Sequence, residues 1–323
     1  MQIPVCGIKR GLINENGIGV MVNSIAFSVI IPHRSSIETL SKLLGTIPNN
    51  RQIEIIVIDN SLIPVTKGEI NTDREYTLLY SAPERGAGGA RNVGIEHARG
   101  EWLIFADADD FFEKDAFNVF YKYRDSDAEL IYFCAKSEYI DTGEQASRGD
   151  SYTALVNGYV DGYVSEEKIR LGFSVPWCKM VKHSLVKKYN IRFDEVVASN
   201  DLYFSMLVGF YVTKIEATKE TTYVVTVSRG SLTRRRDYDV VSSRYRVYLR
   251  YNRFVKDHGH SSMQKSIMNL FVSSSKFGIK ALMNNIILLV KYRQNPFVGF
   301  TRWFKTYKKQ KNINKEESKY ITY

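Results

Sequence analysis

"GAGGARNVGIEHARGEWLIFADADD", residues 86–110, decides the fold. Its first half is a glycine-rich turn that enters a helix, with Ala90, Val93 and His97 on one side. Its second half is an almost unbroken apolar strand, 101–107, that ends in three carboxylates, Asp107, Asp109 and Asp110. Strands that are apolar on both faces belong to parallel sheets covered by helices on each side. Crowded carboxylates repel one another and titrate upward unless something positive joins them. A cation could do so, and so could solvent with a helix N-terminus. Asp110 reads as the N-cap of a helix over "FFEKDAFNVFYKY". For Asp107 and Asp109 the cap and metal readings both stand at this point.

Working outward, "FSVIIP" (27–32), "IEIIVID" (53–59) and "YTLLY" (76–80) are further strands, and "SSIETLSKLL" is an amphipathic helix between the first two. The alternation predicts an α/β fold with a mostly parallel sheet flanked by helices. In such sheets ligands bind beyond the carboxyl ends of the strands. Pro32, Asp59 and Asp107 all stand at those ends. Further along, "ELIYFCAK" (129–136) and "TTYVVTV" (221–227) read as strands, and residues 200–211 and 240–258 as helices.

The chain of 323 residues has the composition of a globular protein. Its net charge of +10 is unevenly spread. Residues 229–323 carry a balance of +16, and residues 1–228 carry −6. The three cysteines form no metal-binding spacing, and no apolar run is long enough to span a bilayer. Two nucleotide-using folds fit poorly. A dinucleotide-binding loop needs a third glycine where Arg91 stands, and an Asp-nucleophile phosphatase needs Thr or Val where Phe111 stands.

"SVIIPHR", "IEIIVIDNS", the 86–110 stretch, "WCKMVKHSLVKKYNIRFDE", "NDLYFSMLV" and "RGSLT" follow the order and spacing of family 2 glycosyltransferases. The resemblance spans about 27–233. It implies a GT-A, Rossmann-like fold and inverting transfer of a sugar from a nucleotide diphosphate sugar, a UDP-sugar by preference, to an acceptor hydroxyl. By position, Pro32, His33 and Arg34 match the first nucleotide-contacting loop, and Asp59 the base-binding aspartate. Arg91 and Asn92 match the donor-side Ala-Arg-Asn, and Asp107 the donor-side acid. Asp109 matches the metal-binding acid, for Mg²⁺ or Mn²⁺. Trp177 and Lys179 match the acceptor-side Trp-x-Lys, and Asp201 the general base. The first loop departs from the usual Pro-x-Tyr-Asn, and Asn200 replaces the Glu of the usual Glu-Asp pair.

Each assignment has a plainer counterpart. His33 could make an ordinary loop hydrogen bond, Trp177 could be a core residue, and Lys179 could lie over its ring. Arg234, Arg235 and Arg236 could close over a diphosphate or form a solvated run. The glycine-rich helix start at Gly88–Arg91 is expected to offer N–H groups to phosphate.

The expected organisation is an extension over 1–24, a GT-A domain over 25–230 and a basic helical region over 231–323. The basic region is read as contacting an anionic membrane surface, with "FVGFTRWFKTYKK" (297–309) as the interfacial stretch; nucleic acid is not an expected partner. The setting expected is cytoplasmic, peripheral on the inner membrane face, in surface polysaccharide or lipid-linked glycan synthesis. A non-catalytic nucleotide- or glycan-binding module and a sugar nucleotidyltransferase are the alternatives.

Overall fold

The computed structural model describes residues 24–34, 36–227 and 237–298. The 1–24 extension apart from its last residue, the "RGSLT" stretch, Arg234–Arg236 and most of 297–309 lie outside them.

Strands β1 (Phe27–His33), β2 (Ile53–Asp59), β3 (Thr77–Tyr80) and β4 (Trp102–Phe105) form a parallel array ordered β3-β2-β1-β4. Every residue of β1 is buried, because helices cover both faces. Helix α1 (Ile37–Gly45) follows β1 and buries Leu40, Leu43 and Leu44. Helix α2 (Gly86–His97) packs on β1 and β2. Gly94 permits this: a Cβ there would meet Ile30 at 2.5 Å and Ile58 at 2.8 Å.

The chain order reverses between β1 and β4, which opens a crevice beyond their carboxyl ends. Beyond β4 the sheet continues as β7 (Lys179–Lys182), β6 (Leu130–Tyr139), β8 (Ile215–Val227) and β5 (Phe111–Phe112). Four of the seven pairings are parallel and three antiparallel. The two-residue β5 and the four-residue β7 are too short to show a period in sequence.

Asp110 is not a helix cap. Residues 111–112 pair with β8, and helix α3 (Ala116–Tyr123) begins later, behind Asp115. Helices α4 (Asp150–Val160), α5 (Glu166–Gly172), α6 (His183–Lys188) and α7 (Asn200–Tyr211) complete the layers around the sheet.

The basic segment is not a loose appendage. Helix α8 (Tyr238–Asp257) buries Val247, Tyr251 and Val255 against Leu171, Leu202 and Met206 of α5 and α7. Helices α9 (Met268–Ser275) and α10 (Ile279–Lys291) pack behind it. No helix among the described residues is long and apolar enough to cross a membrane.

Candidate active site

The acidic stretch is a turn between β4 and β5, closed by Asp110 N–H donating to the Asp107 carbonyl at 3.0 Å. Strand β8 clamps it. The Asp107 N–H donates to the Tyr223 hydroxyl at 2.8 Å. The Thr226 N–H donates to Asp110 Oδ1, and the Thr226 hydroxyl to the Asp109 carbonyl, both at 2.7 Å. Asp110 is buried, Asp107 half-buried and Asp109 exposed to the crevice. One carboxylate oxygen from each lies within 4.8 Å of the others.

Burial, and then the charges of Asp109 and Asp107, push the Asp110 carboxyl well above its usual range. Desolvation raises the Asp109 carboxyl first, the Asp107 charge second, and Arg148 and Arg91 partly offset both. Three acids held this close, with only partial cationic relief, form a donor set suited to a hard divalent cation. Arg148 and the β8 clamps carry no sequence signal, because a strand over 221–227 does not reveal which turn it will face.

Arg91 joins the acidic turn to the start of α7, where the candidate base stands. It lies in the first half of α2 with a side chain only 6% exposed. One terminal nitrogen pairs with Asp107, and the other donates to Asn200 Oδ1 at 2.9 Å. Its plane lies over the Phe193 ring at 5.2 Å. Asp201, next to Asn200, sits half-buried in the first turn of α7. Among the described residues it makes no ion pair. Burial raises its carboxyl; Arg91 and Lys179 oppose the rise, and Asp107 adds to it.

Other expected residues fall differently. Pro32 is buried in β1, and Arg34 is exposed at the crevice side of the β1 exit. His33 Nδ1 bonds Asp59 Oδ1 at 2.9 Å, with both side chains buried. Asp59 also accepts from the Ser61 hydroxyl at 2.7 Å and the Val65 N–H at 3.0 Å. Burial alone would raise its carboxyl, but these bonds hold it below its ordinary value. Its bonds are internal, and they tie down the loop over 60–65.

Asn92 is likewise turned inward. Its amide accepts from the Phe193 N–H at 2.8 Å and donates to the Phe193 carbonyl at 3.0 Å. It pins α2 to the segment that leads into α7. That segment also covers the glycine-rich helix start expected to hold phosphate. A Cβ on Gly88 would lie 2.0 Å from the Asp194 carbonyl, and Arg85 pairs with Glu195. These glycines allow close approach of backbone.

Trp177 is 2% exposed, stacked on Tyr223 at 5.9 Å and met edge-on by Tyr152 at 5.1 Å. No ring face is open to a sugar, so the core reading of Trp177 is the one the packing supports. Lys179 is buried over Phe173 and donates to the Phe173 carbonyl at 3.3 Å. Burial lowers its ammonium to about 7, with Asp201 opposing.

With the crevice defined, similarity to known proteins becomes informative. A family profile described as "Glycosyl transferase family 2" matches residues 28–189, half of the chain. The chain belongs to glycosyl transferase family 2. EpsH of Bacillus subtilis is 22% identical over 229 residues, covering 68% of this chain and 65% of EpsH. This chain therefore spans just under two thirds of the length of EpsH.

Two solved structures extend the likeness. TarS of Staphylococcus aureus, residues 1–349 in complex with UDP-GlcNAc, superposes with a TM-score of 0.59 at 18% identity, over 83% of this chain and 80% of that one. The mannosyltransferase PcManGT of Pyrobaculum calidifontis, in complex with GDP-Man and Mn²⁺, gives 0.51 at 17% identity, over 83% and 81%. At these identities the match speaks for the fold, which is GT-A.

Proposed function

We propose that this protein is an inverting glycosyltransferase that moves a sugar from a nucleoside diphosphate sugar, of the UDP class, to an acceptor hydroxyl in surface polysaccharide or lipid-linked glycan synthesis. The observation that carries the reading is one electrostatic chain at the sheet's switch point: Asp109 and Asp107 on the β4 exit, Arg91 beside them, and beyond Arg91 the carboxylate of Asp201, which makes no ion pair among the described residues. The TarS complex with UDP-GlcNAc favours the UDP class of donor.

Inversion requires attack on the anomeric carbon from the face opposite the leaving diphosphate. The bond from that carbon to the β-phosphate oxygen breaks as the acceptor oxygen bonds to it. The acceptor proton passes to Asp201, whose raised carboxyl is better matched to that task than an ordinary aspartate. Mg²⁺ or Mn²⁺ bound at Asp109, with Asp107 adjacent, would supply Lewis-acid stabilisation of the departing diphosphate. Arg91 fixes Asp107 and keeps a cation near the same phosphates. Asp59, His33 and Asn92 shape the walls around the nucleotide, and Arg34 offers the β1-exit cation. Lys179 supports Asp201 from the buried side. The GT-A domain of this reading covers 25–230.

The test is calorimetric titration of UDP with Mn²⁺ and with EDTA. Metal-dependent binding, lost in Asp109→Asn, supports the donor site. Binding that ignores both metal and variant overturns it.

A membrane contact fits a specific feature of the C-terminal helices. Helix α10 exposes Ile279, Met283, Ile287 and Val290, with Phe277 just before it. Lys276, Lys280, Lys291 and Arg293 flank this stripe, and no acid occurs from 258 to 315. An apolar stripe on a segment that carries cations and no acid of its own matches an anionic lipid surface. Co-sedimentation with vesicles containing phosphatidylglycerol, but not pure phosphatidylcholine, is expected, and Ile287→Asp should abolish it. Equal recovery with both lipids would remove this partner.

A further inference from the structure

A cavity lies beside the C-terminal helices. It is a cleft of about 540 Å³ between α5, α8 and the turn over Ser261–Met263. Tyr248, Tyr251, Met263, Lys265, Ser266 and Glu167 line it. The Asp201 charge is felt at both Tyr248 and Lys265, so the cleft lies within electrostatic reach of the candidate base.

Lys265 is the unusual member. Its backbone is fixed by Asn252 on both sides, through bonds of 2.7 Å to its N–H and its carbonyl. Its ammonium lies over the Tyr251 ring at 5.1 Å. Among the described residues no carboxylate comes within ion-pair distance of it. The one acid lining the cleft, Glu167, is already bonded to His260 at 2.6 Å. Burial lowers the Lys265 ammonium and Asp201 opposes that. The Ser266 hydroxyl is buried without a partner beside it. A largely buried ammonium that meets no carboxylate among the described residues, in a cleft also lined by the orphan Ser266 hydroxyl, matches an anionic oxygen group.

We propose that this cleft is the acceptor subsite and that Lys265 anchors an anionic group, a phosphate or a carboxylate, carried by the acceptor. The assignment rests on the reading of Asp201 as the base. The acceptor would enter from the C-terminal helices, place its anion on Lys265 and Ser266, lay its sugar or polyol on Tyr248 and Met263, and present its hydroxyl to Asp201. The acceptor side would thus be built by the basic segment that follows the family-matched region.

The test uses the full chain saturated with UDP and Mg²⁺, so that the donor site is blocked. Glycerol 3-phosphate, glycerate and glycerol are titrated into the wild type, Lys265→Gln and Lys265→Arg. At least one anion should bind the wild type, with glycerol silent. Lys265→Gln should weaken the anion by about tenfold or more, and Lys265→Arg should retain most of it. Binding of the phosphate alone identifies a phosphorylated acceptor, and of glycerate alone an acidic sugar. Equal anion binding by Lys265→Gln, or none by a wild type that binds UDP, overturns the proposal. A wild type that fails to bind UDP but shows Lys265-dependent anion binding removes the donor reading and leaves the anion site standing.

Discussion

Arg91 donates to Asn200 at 2.9 Å while its other terminal nitrogen holds Asp107, so one guanidinium ties the exit of β4 to the start of α7. A Glu at 200 would compete with Asp107 for that charge, whereas the neutral Asn200 leaves it with Asp107. Arg91→Met should cost about 3 kcal/mol in urea unfolding, because it strands a half-buried carboxylate and an amide. Arg91→Lys should fold but lose UDP affinity by roughly tenfold, since a point charge cannot bridge both partners. Unchanged affinity in Arg91→Lys would detach this residue from the donor site.

Asp201→Asn should lower kcat by about 10²–10⁴-fold and leave UDP affinity within about twofold. The raised Asp201 carboxyl also sets a pH expectation. A base works when deprotonated, so kcat/KM should climb with pH along a limb lying above the ordinary carboxylate range. That limb should be absent in the residual activity of Asp201→Asn.

The acidic turn makes the metal-free protein sensitive to pH. Asp109 and Asp110 have raised carboxyls, so from about pH 4 upward the folded chain holds protons that the unfolded chain has released. Stability without metal therefore falls as pH rises through that window. A cation replaces those protons. Mg²⁺ should raise Tm by a few degrees at about pH 7.5 and by less at about pH 5. Asp109→Asn should flatten the difference in a thermal melt.

Lys179 shifts in the opposite sense. Its ammonium is lowered to about 7, so between there and about pH 10.4 the unfolded chain binds the extra proton. Stability contributed by this site rises with pH across that window. Lys179→Met should be neutral or stabilising, with the larger gain at about pH 6 than at about pH 9. Urea unfolding at the two pH values checks the sign.

Asp59→Ala would leave the Ser61 hydroxyl, the Val65 N–H and the His33 ring without their acceptor. A loss of about 2–4 kcal/mol is expected in denaturant unfolding. If stability is unchanged and only UDP affinity falls, Asp59 contacts the nucleotide directly.

The parallel half of the sheet was legible because its strands are apolar on both faces and end in polar residues at one edge. The stretch over 86–110 carried the family resemblance as well, since its glycines, Arg91 and the acidic turn are close in the chain. The antiparallel half was less legible. β5 and β7 are short, and their pairing with β8 and β6 depends on segments far away in sequence.

The fold class, the crevice at the strand ends and the identity of the acids follow from local pattern and spacing. The direction in which each side chain faces comes from tertiary packing. Asn92 and Trp177 turn inward because their partners, Phe193 and Tyr223, arrive from distant segments, and Asp59 joins His33 of the neighbouring strand to its own following loop. Tertiary packing likewise brings Tyr223 and Thr226 onto the acidic turn and closes a cleft between α5 and α8. Burial and partnership are properties of contacts between distant segments, and no local pattern encodes them.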